Sequence, residues 1–290
     1  MSDDDDLPDN VFRIPVSDAT LKGLCTLDNF DEPKPRELWN TGFFEWAGKV
    51  ALSPGMVSIV TGLPGSGKTH LWAQIWHYVL AKYDLVAGIA SFECRPKPYY
   101  RRYLRQFFAR CPEALMTDVQ KTQADRFIQE HYLFFDHPED APTLEWFLEL
   151  AEYAVVREGV SILQIDPWNR FESQRRQGES EVDYISRCLR TLSIFARNFG
   201  CHIQILAHPA KRDARRREMS PELEDISGAM HWWNMCDQGF IVHRKEFWNK
   251  EQGRCFDAKL LYRKSRFEEL GYPCTMDVKF NPQTCRFEGV

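Results

Sequence analysis

From about residue 41 the chain alternates short apolar runs with longer segments whose apolar positions recur at helical spacing. Met56-Val57-Ser58-Ile59-Val60 is entered through Pro54-Gly55 and left through Gly62, which predicts a buried strand. A helix is predicted next, with Leu71, Ile75, Tyr78 and Val79 on one face. The alternation continues with strand 85–92, helix 97–110, strand 131–135, helix 143–156, strand 160–165, helix 182–199 and strand 201–207. Strands alternating with helices over such a length predict right-handed crossovers and a mostly parallel sheet covered on both faces. Beyond Asp237 only strands are predicted, at 239–243, 256–262 and 275–280, read as an antiparallel C-terminal extension. Residues 1–40 read as an acidic tail or arm, rich in Asp and Pro, and 41–290 as one α/β domain.

Composition narrows the classes without choosing among them. With 290 residues, 43% hydrophobic and 27% charged, the chain is neither disordered nor collagen-like nor a coiled coil. No apolar run reaches the roughly 18–20 residues of a membrane span. Asp3 to Asp6 make the start acidic, unlike a secretory or transit leader, so a cytoplasmic protein is expected. The nine cysteines are scattered, odd in number and without zinc-type spacing, and read as reduced thiols in the core. A net charge of −5 argues against a surface that coats nucleic acid, but not against a local basic groove.

Chemistry enters at Gly62-Leu63-Pro64-Gly65-Ser66-Gly67-Lys68-Thr69, where four residues separate Gly62 from Gly67 before Lys and Thr. This is a phosphate-loop pattern placed between a predicted strand and a predicted helix. The nucleotide-holding set is Gly62, Pro64, Gly65, Ser66, Gly67, Lys68, Thr69 and His70, with Lys68 reaching the terminal phosphates and Thr69 ligating Mg²⁺. Ile162 to Asp166 is an apolar strand ending in a carboxylate, which can hold the metal. Strand 85–92 ends at Glu93, positioned to deprotonate an attacking water; that feature favours ATP hydrolysis over phosphate-to-phosphate transfer. Strand 201–207 ends at His208, a candidate γ-phosphate sensor. Directly after it come Lys211, Arg212, Arg215, Arg216 and Arg217, five cations in seven residues, read as a nucleic-acid backbone contact.

Taken in order, these motifs resemble the motor domain of the DnaB-like (superfamily 4) ring helicases. They are Ser91-Phe92-Glu93, Ile165-Asp166-Pro167-Trp168-Asn169, Leu206-Ala207-His208-Pro209 and Asp225-Ile226-Ser227-Gly228-Ala229. Later signatures, His231 to Gly239 and Tyr262-Arg263-Lys264-Ser265-Arg266-Phe267, look most like the Twinkle-like and phage primase-helicase branch. The resemblance spans roughly residues 40–290 and implies a RecA-like ATPase core in a hexameric ring around single-stranded DNA, with ATP and Mg²⁺ between subunits. On that likeness Lys68, Thr69, Glu93, Asp166 and His208 take the roles above, and Arg266, with Lys264 beside it, matches the arginine finger that reaches a neighbour's ATP. DNA would be met by Arg170, Arg175 and Arg176 and by the Lys211–Arg217 loop; of His231, Trp232 and Trp233, at least one Trp is expected to pack in the core.

The expected activity is an ATP-dependent, 5′→3′ DNA helicase, with a separate primase or other replication protein as a further partner. A RecA-type DNA-pairing ATPase and an ATP-switched loading protein without unwinding activity are the alternatives.

Overall fold

In a computed structural model, the described residues are 23–29, 32, 35–138, 142–210, 219–227, 230–244, 248–249 and 253–290. The chain divides into Met1–Arg36 and Glu37–Val290. Among the described residues of the first, a 3₁₀ turn at Leu27–Asn29 is closed by Asn29 Oδ1, which accepts from the Thr26 amide at 2.8 Å.

The larger unit opens with β1 (Trp39–Asn40), paired antiparallel with β2 (Ala51–Leu52), then β3 (Val57–Thr61). The boundary expected at residue 40 falls inside this pairing, and Trp39 is buried. Helix α1 (Lys68–Tyr83) follows, then β4 (Val86–Ser91), α2 (Arg101–Ala109), α3 (Asp118–His131), β5 (Tyr132–Phe134), α4 (Leu144–Glu158), β6 (Val160–Asp166), α5 (Glu181–Phe199) and β7 (His202–Ala207). The remainder is α6 (Met230–Met235), β8 (Gln238–His243), a ribbon of β9 (Trp248–Asn249) with β10 (Gly253–Arg254), and β11 (Asp257–Ser265), β12 (Cys274–Asn281) and β13 (Arg286–Gly289). Among the described residues no helix is long and apolar enough to cross a membrane.

Nine strands form one sheet in the order β13-β12-β11-β8-β3-β7-β6-β4-β5. From β8 to β5 all pairings are parallel; β11, β12 and β13 add antiparallel. The expected antiparallel extension is therefore corrected at its first member, since β8 runs parallel to β3 through Ser58↔Gln238 and reversal begins only at β11.

Central strands are buried on both sides, β3 and β7 at every position, with the polar Ser58, Thr61, His202 and Gln204 set among their apolar residues. One face packs on α1 through Leu71, Trp72, Ile75, Trp76, Val79 and Leu80. The other packs on α4 and α5, with Tyr184, Ile185, Cys188, Leu189 and Leu192 in helical register. Local chemistry sets the ends: Thr143 and Ser180 accept from Trp146 N and Asp183 N at 3.1 Å each, and Gly159 and Gly200 close α4 and α5 in the left-handed region. Some of the polar groups inside are paired: Trp76 Nε1 donates to Gln204 Oε1 at 2.9 Å, and Ser58 Oγ lies 2.8 Å from His202 Nε2. The thiol expectation holds in part. Cys188, Cys201, Cys236 and Cys285 are buried, Cys25 is exposed, and the other four are half-buried.

Candidate nucleotide site

Parallel register brings four strand ends to one edge of the sheet. Thr61 pairs with Ala207 and Ser91 with Asp166, so the segments opening at Gly62, Phe92, Pro167 and His208 emerge at one level. Ligands of open parallel sheets bind at such an edge.

The Gly62–Gly67 loop is built for close approach. A Cβ on Gly62 would stand 2.3 Å from the Val242 carbonyl oxygen, so only glycine fits. Gly67 caps α1 at φ 96°, in the left-handed region that glycine enters without strain. The α1 ladder begins with Leu71 N donating to Gly67 O at 2.9 Å, which leaves the N–H groups of Lys68, Thr69 and His70 without intrahelical partners. Three amides and the positive end of the helix dipole are what an anion needs.

Lys68 Nζ donates to the carbonyls of Gly62 at 2.7 Å and Leu63 at 3.2 Å, and lies 3.3 Å from His208 Nδ1. Burial pushes its ammonium down to about 8, with Asp166 and then Glu93 opposing. Asp166 is moved the other way. Burial raises it to about 6 against the pull of Thr69 and Lys68, and Glu93 adds to the rise. Asp166 Oδ2 is sealed from solvent with no hydrogen-bond partner, as is Ser66 Oγ.

This donor set fits a nucleotide-borne Mg²⁺. No cluster of three or more His, Cys, Asp or Glu among the described residues could hold a metal unaided. Magnesium, however, commonly takes one or two protein oxygens and completes its shell with phosphates and water. Thr69 and the orphaned Asp166 oxygen would supply that partial shell.

Glu93 and His208 face each other across the cleft, Oε2 to Nε2 at 3.7 Å. Burial lowers the His208 pKa, the Lys68 charge lowers it further, and Glu93 acts against both. His208 N donates to Asn169 Oδ1 at 3.1 Å, and Arg170 Nε stands 3.7 Å from Glu93 Oε1. Arg170, expected to meet DNA, thus reaches the proposed base as well; Arg175 and Arg176 are exposed further along the same segment. Lys211, Arg212, Arg215, Arg216 and Arg217 lie outside the described residues, as do Gly228 and Ala229.

His70, expected in the nucleotide-holding set, lines the same cleft. The His70 ring turns away from the loop into an edge-on cage of Tyr103, Phe107, Phe280 and Phe287, and its Nε2 is 3.1 Å from the Cys285 carbonyl. Burial depresses its pKa to about 4. Tyr99, Tyr103 and Cys94 also line the cleft, of ≈ 410 Å³, though no phosphate-loop pattern points to them. Their one sequence signal is an aromatic pair at helical spacing after Pro96 and Pro98.

Lys264 and Arg266 both cap the C-terminus of α6. Lys264 Nζ donates to the Trp233 carbonyl and, at 3.2 Å, to that of Asn234; Arg266 Nη2 donates to Asn234 O at 2.7 Å. Trp232 packs in the core, edge-on to Trp168 at 5.5 Å, and its indole N–H donates to Ser227 O. Trp233 is half-buried beneath Lys264.

The comparisons with known proteins come to the same fold and family. The family described as DnaB-like helicase C terminal domain matches residues 40–289. The Twinkle homolog protein, chloroplastic/mitochondrial, of Arabidopsis thaliana is 28% identical over 266 positions, covering 81% of this chain but 37% of that protein. This chain therefore spans little more than a third of that relative. A solved DnaB-like replicative helicase, studied with its interactions with primase, superposes at TM-score 0.69 with 17% identity over 86% of this chain and 61% of that one. Another solved ATPase domain gives 0.71 with 18% identity over 87% and 90%. A KaiC-like protein from Pyrococcus horikoshii gives 0.59 with 16% identity over 88% and 100%. At these identities the superpositions establish the RecA-like fold.

Proposed function

The chain belongs to the DnaB-like helicase C terminal domain family, and on that premise we propose that it is the ATP-driven motor of a DNA helicase. ATP with Mg²⁺ is held by Gly62–Thr69, Thr69 Oγ1 and Asp166. Glu93 takes the proton of the attacking water, and Lys68 and His208 face the γ-phosphate. Arg266, with Lys264, completes the site of an adjacent subunit in a ring around single-stranded DNA, with 5′→3′ movement. The carrying observation is the convergence at one sheet edge of a phosphate loop, a sealed carboxylate oxygen and the Glu93–His208 pair. A glutamate beside the γ-phosphate position suits water as nucleophile, as hydrolysis requires. Arg170, Arg175 and Arg176 supply DNA phosphate contacts on the segment that also reaches Glu93 and His208.

Unwinding of a forked duplex, scored beside ATP hydrolysis on single strands, tests this reading. The protein should separate the fork with ATP and Mg²⁺, and Lys68→Ala should abolish both activities. Hydrolysis stimulated by single strands without strand separation would instead favour a pairing or loading ATPase.

A further inference from the structure

The base of Arg266 holds a buried carboxylate that the nucleotide site does not use. Asp237 is 5% exposed and lies between α6 and β8. Its Oδ2 accepts from the Val57 amide at 2.9 Å, and its Oδ1 lies 3.1 Å from Arg266 Nη1. Backbone bonds double both links: Asp237 N donates to Val57 O and Arg266 N donates to Asp237 O, each at 2.9 Å. Val57 is the first residue of β3, the strand that runs into the Gly62 loop. A bulge in β11 adds Arg263 between Tyr262 and Lys264, just before Arg266. Bulges of this kind re-aim the side chains that follow them.

We propose that Asp237 is the positioning residue of Arg266, fixing the guanidinium to the start of the chain's own phosphate-loop strand while it acts on a neighbouring subunit's ATP. The inference rests on reading Arg266 as the arginine finger. Arg266 is held from behind by one carboxylate oxygen and one helix-end carbonyl, and its side chain is 37% exposed. A guanidinium carries more N–H groups than these contacts use, so it can be braced and still present donors outward. Bracing fixes a long, otherwise rotatable side chain in one geometry, and a displacement of about 1 Å in a catalytic group can cost ~10²-fold in rate. The same carboxylate ties the finger to β3, which gives one subunit's nucleotide loop a direct mechanical link to the site it completes next door.

Asp237→Asn separates the two bonds. An Asn carbonyl can still accept from Val57 N, so the strand start keeps its partner. The amide NH₂ then faces Arg266, donor against donor. ATP hydrolysis should fall ~10–10²-fold, binding of a fluorescent ATP analogue should not change, and Asp237→Glu, which keeps the charge, should retain more of the rate than Asn. The deciding measurement mixes subunits. Asp237→Asn has an intact phosphate loop and a misplaced finger; Lys68→Ala has the reverse. Mixed oligomers should hydrolyse ATP faster than either variant alone, as should Arg266→Ala mixed with Lys68→Ala. Recovery with Arg266→Ala but not with Asp237→Asn would show that Asp237 serves its own site and overturn the inference. Absence of recovery in both mixtures would remove the finger reading, and the inference with it.

Discussion

At the scale of the residue, Asp166 shows what burial does to a carboxylate at the sheet edge. Burial raises its pKa from an ordinary 3.8 to about 6, so between those values the folded chain keeps a proton the unfolded chain has released. Stability attributable to this group therefore falls as pH rises through that window, and the whole penalty stands above about 6. A displacement of that size corresponds to roughly 3 kcal/mol. Asp166→Asn should raise the melting temperature of the nucleotide-free protein near neutral pH by roughly 5–10 °C, while abolishing hydrolysis. A melting series from pH 7.5 downward checks the sign: the advantage should shrink below about 6 and vanish near 4. Lys68 carries the opposite dependence, since burial lowers it from 10.5 to about 8 and its penalty is relieved only as pH climbs through that range. The pairing of Lys68 and Asp166 chemistry was legible in the sequence because phosphate binding needs those residue types at that spacing. Their displaced pKa values were not, because burial is a property of the assembled sheet.

Among the elements, the late strand β13 braces the phosphate loop. Gln74 on α1 bonds to it like a neighbouring strand, Nε2 donating to Phe287 O at 2.9 Å and Oε1 accepting from Phe287 N at 2.7 Å. The Phe287 ring lies against Gly67, where a Cβ would meet its Cζ at 3.0 Å. Phe287→Ala should destabilise the protein by about 3–5 kcal/mol. Because the ring supports the loop, affinity for an ATP analogue should fall as well; a stable variant with unaltered affinity would show that the loop holds its own shape. Neither β13 nor α3 is predicted from the sequence. In α3 only Ala124 and Ile128 are buried, so its period is almost invisible, although Thr117 and Gln120 form a capping box at its start. Four-residue β13 has one buried side chain, Phe287, and is defined by its pairing with β12 rather than by any alternation of its own.

Across the whole molecule, a net charge of −5 coexists with exposed Arg175 and Arg176 on a segment tied at one end to the nucleotide site. On the proposed function these cations meet phosphates of a single strand. Removing one such cation should lower the magnitude of the slope of log affinity against log salt by about 0.7, so Arg175→Ala with Arg176→Ala should flatten a salt titration of single-strand binding by about 1.4. Weaker binding at an unchanged slope would mean that the two side chains touch no phosphate.

The sequence alone determined the alternating α/β core, the phosphate loop and the strand-end residues Glu93, Asp166 and His208, because each is written in local spacing and apolar periodicity. Tertiary structure decided the rest. It turned the His70 ring into an aromatic cage, set β8 parallel to β3, and brought Asp237 between Val57 and Arg266. These outcomes depend on which strands become neighbours and which side chains lose water. Both are fixed by packing between segments far apart in the chain, 180 positions for Val57 and Asp237 and 215 for His70 and Cys285.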